Sequence, residues 1–183
     1  AHNTLRVDGK NLSEPGGGFL WIRKARGRLL RWSPEDVSPH VMASHDGYRR
    51  LQDSVTHVRE IRFDREGQRI LIRDEIRAKA THRIELFFHL DPACAVFPEG
   101  DIFRVRRNEA RIGLKLDPRM ESRVAEGETD PVLGWHSPRY GIRKPTRTVV
   151  GRHTAEGSVT YETWILLQPG EEGTRPADIA TGS

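Results

Sequence analysis

Few side chains in this sequence stand in patterns that do chemistry. Eight histidines accompany a single cysteine, Cys94, so a Cys-x-x-Cys metal site is excluded, and neither His-x-His nor His-Glu-x-x-His occurs. His2 sits immediately before a strand pattern, where an imidazole is able to ligate a metal; on spacing alone, a histidine near a terminus reads as a solvated side chain. His45 next to Asp46 has the composition of an oriented general base. Neighbours on a strand point to opposite faces, however, so the pair reads as structural.

A second pattern is electrostatic. Arg23, Lys24, Arg26, Arg28 and Arg31 lie between Trp21 and Trp32, a mixture in which indole faces cover sugar rings and guanidinium groups pair with carboxylates or sulfates. The whole chain agrees in sign, with a formal charge of +4, and its cations are mainly arginine, which suits an acidic polysaccharide. For any single arginine, a solvent-facing strand position is the competing explanation. No helix-turn-helix, zinc finger or ribonucleoprotein motif accompanies the patch, so nucleic acid is not expected as a partner. Glu14-Pro15-Gly16-Gly17-Gly18 resembles a phosphate loop only in its glycines, since a strand pattern and not a helix follows it.

The elements that would position these groups are strands. Thr4 to Asp8 alternates, as do Val55 to Phe63, Arg69 to Ile76 and Thr81 to Leu90, with a tight turn at residues 65–68 joining the second and third. Ile84, Leu86 and Phe88 share one parity, which puts His89 on the opposite, partly covered face as a structural residue. Further strands are expected at residues 19–22, 102–107, 110–116, 146–151 and 158–167. Residues 117–130 read as a charged surface loop, and residues 135–141 as an ordered loop. No stretch carries a sustained helical period, and no apolar run approaches the length of a membrane span. The expected fold is an all-β, antiparallel β-sandwich of about ten or more strands over residues 1–168. Residues 169–183 read as a disordered tail.

Ala1-His2-Asn3-Thr4-Leu5-Arg6-Val7-Asp8-Gly9, then Ser13-Glu14, His45-Asp46-Gly47-Tyr48, His89-Leu90-Asp91-Pro92 and Gly134-Trp135-His136-Ser137-Pro138-Arg139-Tyr140-Gly141 together resemble the β-sheet domain of the heparinase II/III-like polysaccharide lyases. The resemblance implies a C-terminal sandwich belonging to a longer bacterial, periplasmic or secreted lyase with an N-terminal α/α toroid, which cleaves uronic-acid polymers by β-elimination. It implies that His2 is the last of three ligands of a structural zinc, the other two lying upstream. It also implies that the catalytic groups lie upstream of Ala1, so that none is in this chain. Leu12 departs from the glutamine of many relatives. The alternatives are a carbohydrate-binding module without catalysis, resting on Trp21, Arg23 and Trp32, or a family member acting in exopolysaccharide assembly.

Overall fold

Alternation at residues 56–77 produces a long antiparallel hairpin, and this hairpin lies in the middle of the larger of two sheets. The structure is a computed structural model and describes residues 2–18 and 20–168. In chain order its strands are β1 (Leu5–Val7), β2 (Glu14–Pro15), β3 (Trp21–Arg23), β4 (Gly27–Ser33), β5 (His40–His45), β6 (Thr56–Asp64), β7 (Arg69–Arg77), β8 (Thr81–His89) and β9 (Ala95–Glu99). There follow β10 (Ile102–Arg107), β11 (Ala110–Lys115), β12 (Glu121–Glu126), β13 (Glu128–Thr129), β14 (Val132–Leu133), β15 (Trp135–Arg139), β16 (Ile142–Pro145), β17 (Arg147–Glu156) and β18 (Val159–Gln168). No helix occurs among the described residues.

Twelve of these strands make two layers, a four-stranded sheet ordered β1-β8-β17-β12 and an eight-stranded sheet ordered β4-β5-β6-β7-β18-β11-β10-β9. The expected antiparallel sandwich is what forms. Its core is the meeting of two inner faces: Leu5, Val7, Ile84, Leu86 and Val149 from the small sheet against Ile72, Ile76, Leu114 and Tyr161 from the large one, all below a tenth exposed. Each such side chain contributes about 1.5–3 kcal/mol by leaving water. A second, smaller cluster lies on the outer face of the small sheet, where Leu133 covers Phe87, Ala125 and Val150.

Two segments expected as loops are strands. Residues 121–126 form β12, paired with β17 from Glu121↔Arg152 to Glu126↔Arg147. An edge strand needs only backbone pairing on one side, and here only Ala125 is fully buried, so the segment keeps the composition of a loop. Residues 135–145 form the β15–β16 hairpin turning at Tyr140-Gly141, tied by the Ser137 hydroxyl to the Ile142 carbonyl at 2.9 Å. Gly27–Ser33 and His40–His45 add two strands at one edge of the large sheet; adjacent apolar residues, Leu29-Leu30 and Val41-Met42-Ala43, blur their alternation. The tail at residues 169–183 lies outside the described residues.

Candidate functional site

The site is built around β1, because His2 stands three residues before that strand and because one of its edges is free. β1 hydrogen-bonds only to β8, leaving a row of backbone carbonyls unpaired on the other side. Three donors close this row. The Lys10 amide donates to the Val7 carbonyl at 2.8 Å, the Tyr48 hydroxyl to the Leu5 carbonyl at 3.0 Å, and Arg59 Nη1 to the Asn3 carbonyl at 2.5 Å. On the β8 side the Phe87 amide donates to the Thr4 carbonyl at 3.0 Å, and the His89 amide to Asn3 Oδ1 at 2.7 Å. The backbone on which His2 stands is therefore held from both sheets at once, while the His2 side chain is exposed.

Arg59 is itself held by a buried polar chain on the inner face of the large sheet. Its guanidinium grips Asp74 bidentately, Nε to Oδ1 at 2.6 Å and Nη2 to Oδ2 at 2.9 Å. Asp74 is wholly buried on β7. His57 Nε2 approaches Asp74 Oδ1 at 2.7 Å, His57 Nδ1 lies 2.9 Å from His45 Nε2, and the Gly47 amide donates to His45 Nδ1 at 3.2 Å. That last bond fixes the tautomers, inferred from the network. His45 Nδ1 accepts, so its proton is on Nε2 and points at His57, whose own proton is then on Nε2 and points at Asp74. Both imidazoles are neutral. Burial, assisted by the neighbouring His57, pushes the His45 pKa down to about 4. Hydrogen bonds from His57 and Arg59, with the Arg59 charge, outweigh burial and keep the Asp74 carboxyl below its ordinary range. With no nucleophile in the chain and its far end on a backbone amide, this arrangement holds geometry and does not move protons.

The motif His45-Asp46-Gly47-Tyr48 thereby acquires a physical account. His45 heads the polar chain, the Asp46 carboxylate accepts the Arg26 amide at 2.7 Å, and Tyr48 closes the β1 edge. A Cβ on Gly47 would sit 2.5 Å from the Leu12 carbonyl oxygen, so this close approach requires glycine. His45 and Asp46 do not form a dyad: Asp46 lies just past the end of β5, and its carboxylate is taken by the Arg26 amide while His45 is taken by the Gly47 amide and His57.

On the outward face of the small sheet, Glu85 is 1% exposed and accepts from Arg6 at 2.8 Å and Arg152 at 3.2 Å. The Arg6 guanidinium also lies 5.1 Å from the Phe87 ring centre. The stripe continues to His89, which stacks on Phe87 and meets the Thr148 hydroxyl at 2.9 Å. Burial lowers the His89 pKa. His89 is a bonded structural residue, as its strand parity predicts.

His82 behaves in the opposite sense to His45. Burial acts to lower its pKa, but hydrogen bonds to Asp8 at 2.7 Å and Asp53 at 3.0 Å prevail and raise it. These bonds lock the end of β1 to the β7–β8 turn, where Asp53 also accepts the Lys79 and Ala80 amides. A raised folded-state pKa contributes stability that is complete below the unfolded value and is lost as pH rises through the folded value. A lowered one, as for His45, contributes stability present above about 6.5 that is lost as pH falls towards about 4. The melting-temperature deficit of His82→Gln should therefore be largest in mild acid, worth about 1 kcal/mol after solvent screening, and should shrink in alkali. A deficit that grows with pH would contradict the assigned charge.

The remaining sequence candidates are scattered. Trp21 on β3 and Trp32 on β4 are 51% and 63% exposed, on strands of different sheets. Arg23 beside Trp21 is exposed and only 3.8 Å from Glu14. Leu12 packs half-buried against the main core, which accounts for an apolar residue there. No group of three His, Cys, Asp or Glu that could hold a metal exists among the described residues. The residues that the motifs did not single out are Arg59, His57, Asp74 and Glu85.

Comparison with known proteins places these features. The family model "Heparinase II/III-like, C-terminal" matches residues 1–171, and no curated protein matches the chain. The solved structure of heparinase III aligns with a TM-score of 0.70 and 21% identity, over 94% of this chain and 24% of that one. Heparan sulfate lyase HepC from Pedobacter heparinus aligns with a TM-score of 0.70 and 13% identity, over 93% of this chain and 24% of that one. At these identities the likeness speaks for the fold, and this chain spans about a quarter of the length of either structure. A two-sheet sandwich whose β1 edge and His45–Tyr48 corner both fall within one continuous match identifies the chain as a member of the heparinase II/III-like family, carrying its C-terminal domain.

Proposed function

We propose that the chain is the C-terminal β-sandwich part of a polysaccharide lyase that cleaves uronic-acid-containing acidic polysaccharides by β-elimination. The observation that carries this reading is the family match over residues 1–171, supported by the double clamp on the backbone beside an exposed His2. The reaction neutralises a uronate carboxylate, removes the C5 proton and expels the C4 oxygen with a proton; the anionic intermediate must be met by positioned donors. Those donors and the base belong to the part of the longer protein outside this chain, an α/α toroid in this reading. What this chain contributes in this reading is the fixed backbone beside His2 and, on the outward face of the small sheet, the guanidinium groups of Arg6 and Arg152, chemistry suited to a carboxylated or sulfated polymer. No helix among the described residues is long and apolar enough to cross a membrane, and export to the periplasm or exterior of a bacterium fits a polymeric substrate.

The residues present fit a metal only in part. His2, exposed on a fixed backbone, would be one ligand of a zinc whose other ligands are outside the chain, and the zinc would supply rigidity at the edge of the cleft. The exposed Trp21 and Trp32 favour a second reading, a carbohydrate-binding sandwich without catalysis.

One experiment separates these. Full-length protein incubated with heparan sulfate or alginate should release products carrying the ultraviolet absorbance of a C4–C5 double bond, and should hold about one zinc per chain that is lost in His2→Ala. Release of saturated ends alone would mean hydrolysis and would sink the lyase reading. Binding without cleavage would select the binding module. Zinc retained in His2→Ala would remove His2 from the metal.

A further inference from the structure

We propose that Arg59, carried on Asp74, His57 and His45, is the positioning residue for the His2-Asn3-Thr4 segment: through the Asn3 carbonyl it fixes where the His2 imidazole is presented. The role given to His2 rests on the functional reading above; the positioning itself rests on the hydrogen bonds.

The first reason is placement. Asp74 shares its strand face with Ile72 and Ile76 and lies opposite Arg59 across the β6–β7 pair. A charge pair whose carboxylate is fully buried adds little to stability compared with apolar side chains of the same shape, so packing does not explain its presence. The second is reach. An ion pair between Arg59 and Asp74 is complete with Nε and Nη2; the remaining donor, Nη1, leaves the pair and bonds the Asn3 carbonyl on the other sheet. The third is rigidity. Asp74 is held from its far side by His57, and His57 by His45, whose outer nitrogen ends on the Gly47 amide. Each member has one hydrogen-bonding solution, so a guanidinium that would otherwise explore rotamers is fixed in one. The fourth is need. β1 is three residues long and paired on one side only, a segment that would fray without a partner on its free edge. Tyr48 and Lys10 secure Leu5 and Val7; Arg59 alone of the three edge donors acts next to His2.

The test uses Arg59→Lys and Arg59→Ala in the full-length protein. Lysine keeps the charge against Asp74 but lacks the fork that spans Asp74 and Asn3 together, so this variant should fold even if Arg59→Ala does not. Hydrogen exchange should quicken at the Thr4 and His89 amides by roughly tenfold or more, the factor for one lost charge-assisted hydrogen bond, while amides within β17 and β18 stay at wild-type rates. Zinc affinity should fall by a similar factor in the same variant. Unchanged exchange at Thr4 and His89, or exchange raised equally across β17 and β18, would overturn the proposal, since the first denies any clamp and the second denies a local one. Local quickening with undiminished zinc affinity would overturn it as well, because the clamp would then not set the imidazole. Should the wild-type protein hold no zinc and cut no polymer, the functional reading fails while the exchange data still judge the clamp.

Discussion

Asp74→Ala is expected to lower the unfolding free energy by about 3–5 kcal/mol, the cost of removing one partner from a buried ion pair. The loss is large because Asp74 is wholly buried and serves two cations or donors at once, Arg59 through both oxygens and His57 through Oδ1. Without it, Arg59 remains half-enclosed with no counter-charge, and the His57 N–H points into a cavity lined by β7. Urea denaturation followed by circular dichroism measures the effect as a lower midpoint at unchanged slope. Against a domain stability of about 5–15 kcal/mol, such a loss leaves many proteins of this size only marginally folded. Asp74→Asn keeps the shape and one acceptor, so it should cost less than alanine. Equal midpoints for Asp74→Ala and wild type would show that the pair is dispensable and that the buried chain does not organise the large sheet.

Gly134→Ala should cost about 3 kcal/mol or more, combining left-handed backbone strain with overpacking. Gly134 has φ +75°, and a Cβ there would meet Glu126 Cα at 2.7 Å and the Ala125 carbonyl and Gly127 amide at 2.8 Å. These are backbone atoms, which have no rotamer to retreat into. The Gly134 carbonyl also accepts both the Gly127 amide at 2.9 Å and the Thr146 amide at 2.8 Å, so it is the knot at which β12, the β13–β14 pair and the β15–β16 hairpin meet. Displacing it lifts Leu133 from Phe87 and opens the outward cluster. Thermal unfolding reads the loss, and new fluorescence from Trp135, whose indole N–H donates to the Glu128 carbonyl at 2.7 Å, would locate it. An unperturbed melting temperature would mean that the crossing tolerates a side chain.

The sequence by itself determined the fold class and much of the register. Ile70, Ile72 and Ile76 on one parity, and Ile84, Leu86 and Phe88 on another strand, are enough to require two sheets with apolar inner faces, because the period of a strand is two and only one face of each can meet the other. It also determined that His89 lies on the face opposite Ile84, Leu86 and Phe88.

A further signal was present in the same pattern. Asp74 occupies the parity of Ile72 and Ile76, as Arg59 and His57 occupy that of Ile61 and Phe63. Charged residues at core parity on adjacent strands must find each other, since neither is tolerated alone. That inference needs the pairing of the strands, which local alternation suggests but does not fix.

Only the tertiary structure decided the rest. β12 carries too few apolar residues to announce itself, because an edge strand is held by a neighbour's backbone and not by its own side chains. The Tyr48 and Arg59 contacts to β1 span 43 and 56 residues of sequence, and no local period encodes a partner at such distance. The His45 tautomer, the neutral state of both imidazoles and the fixed backbone beside His2 all follow from that long-range closure, since each depends on which donor the other sheet brings to a carbonyl that the strand leaves open.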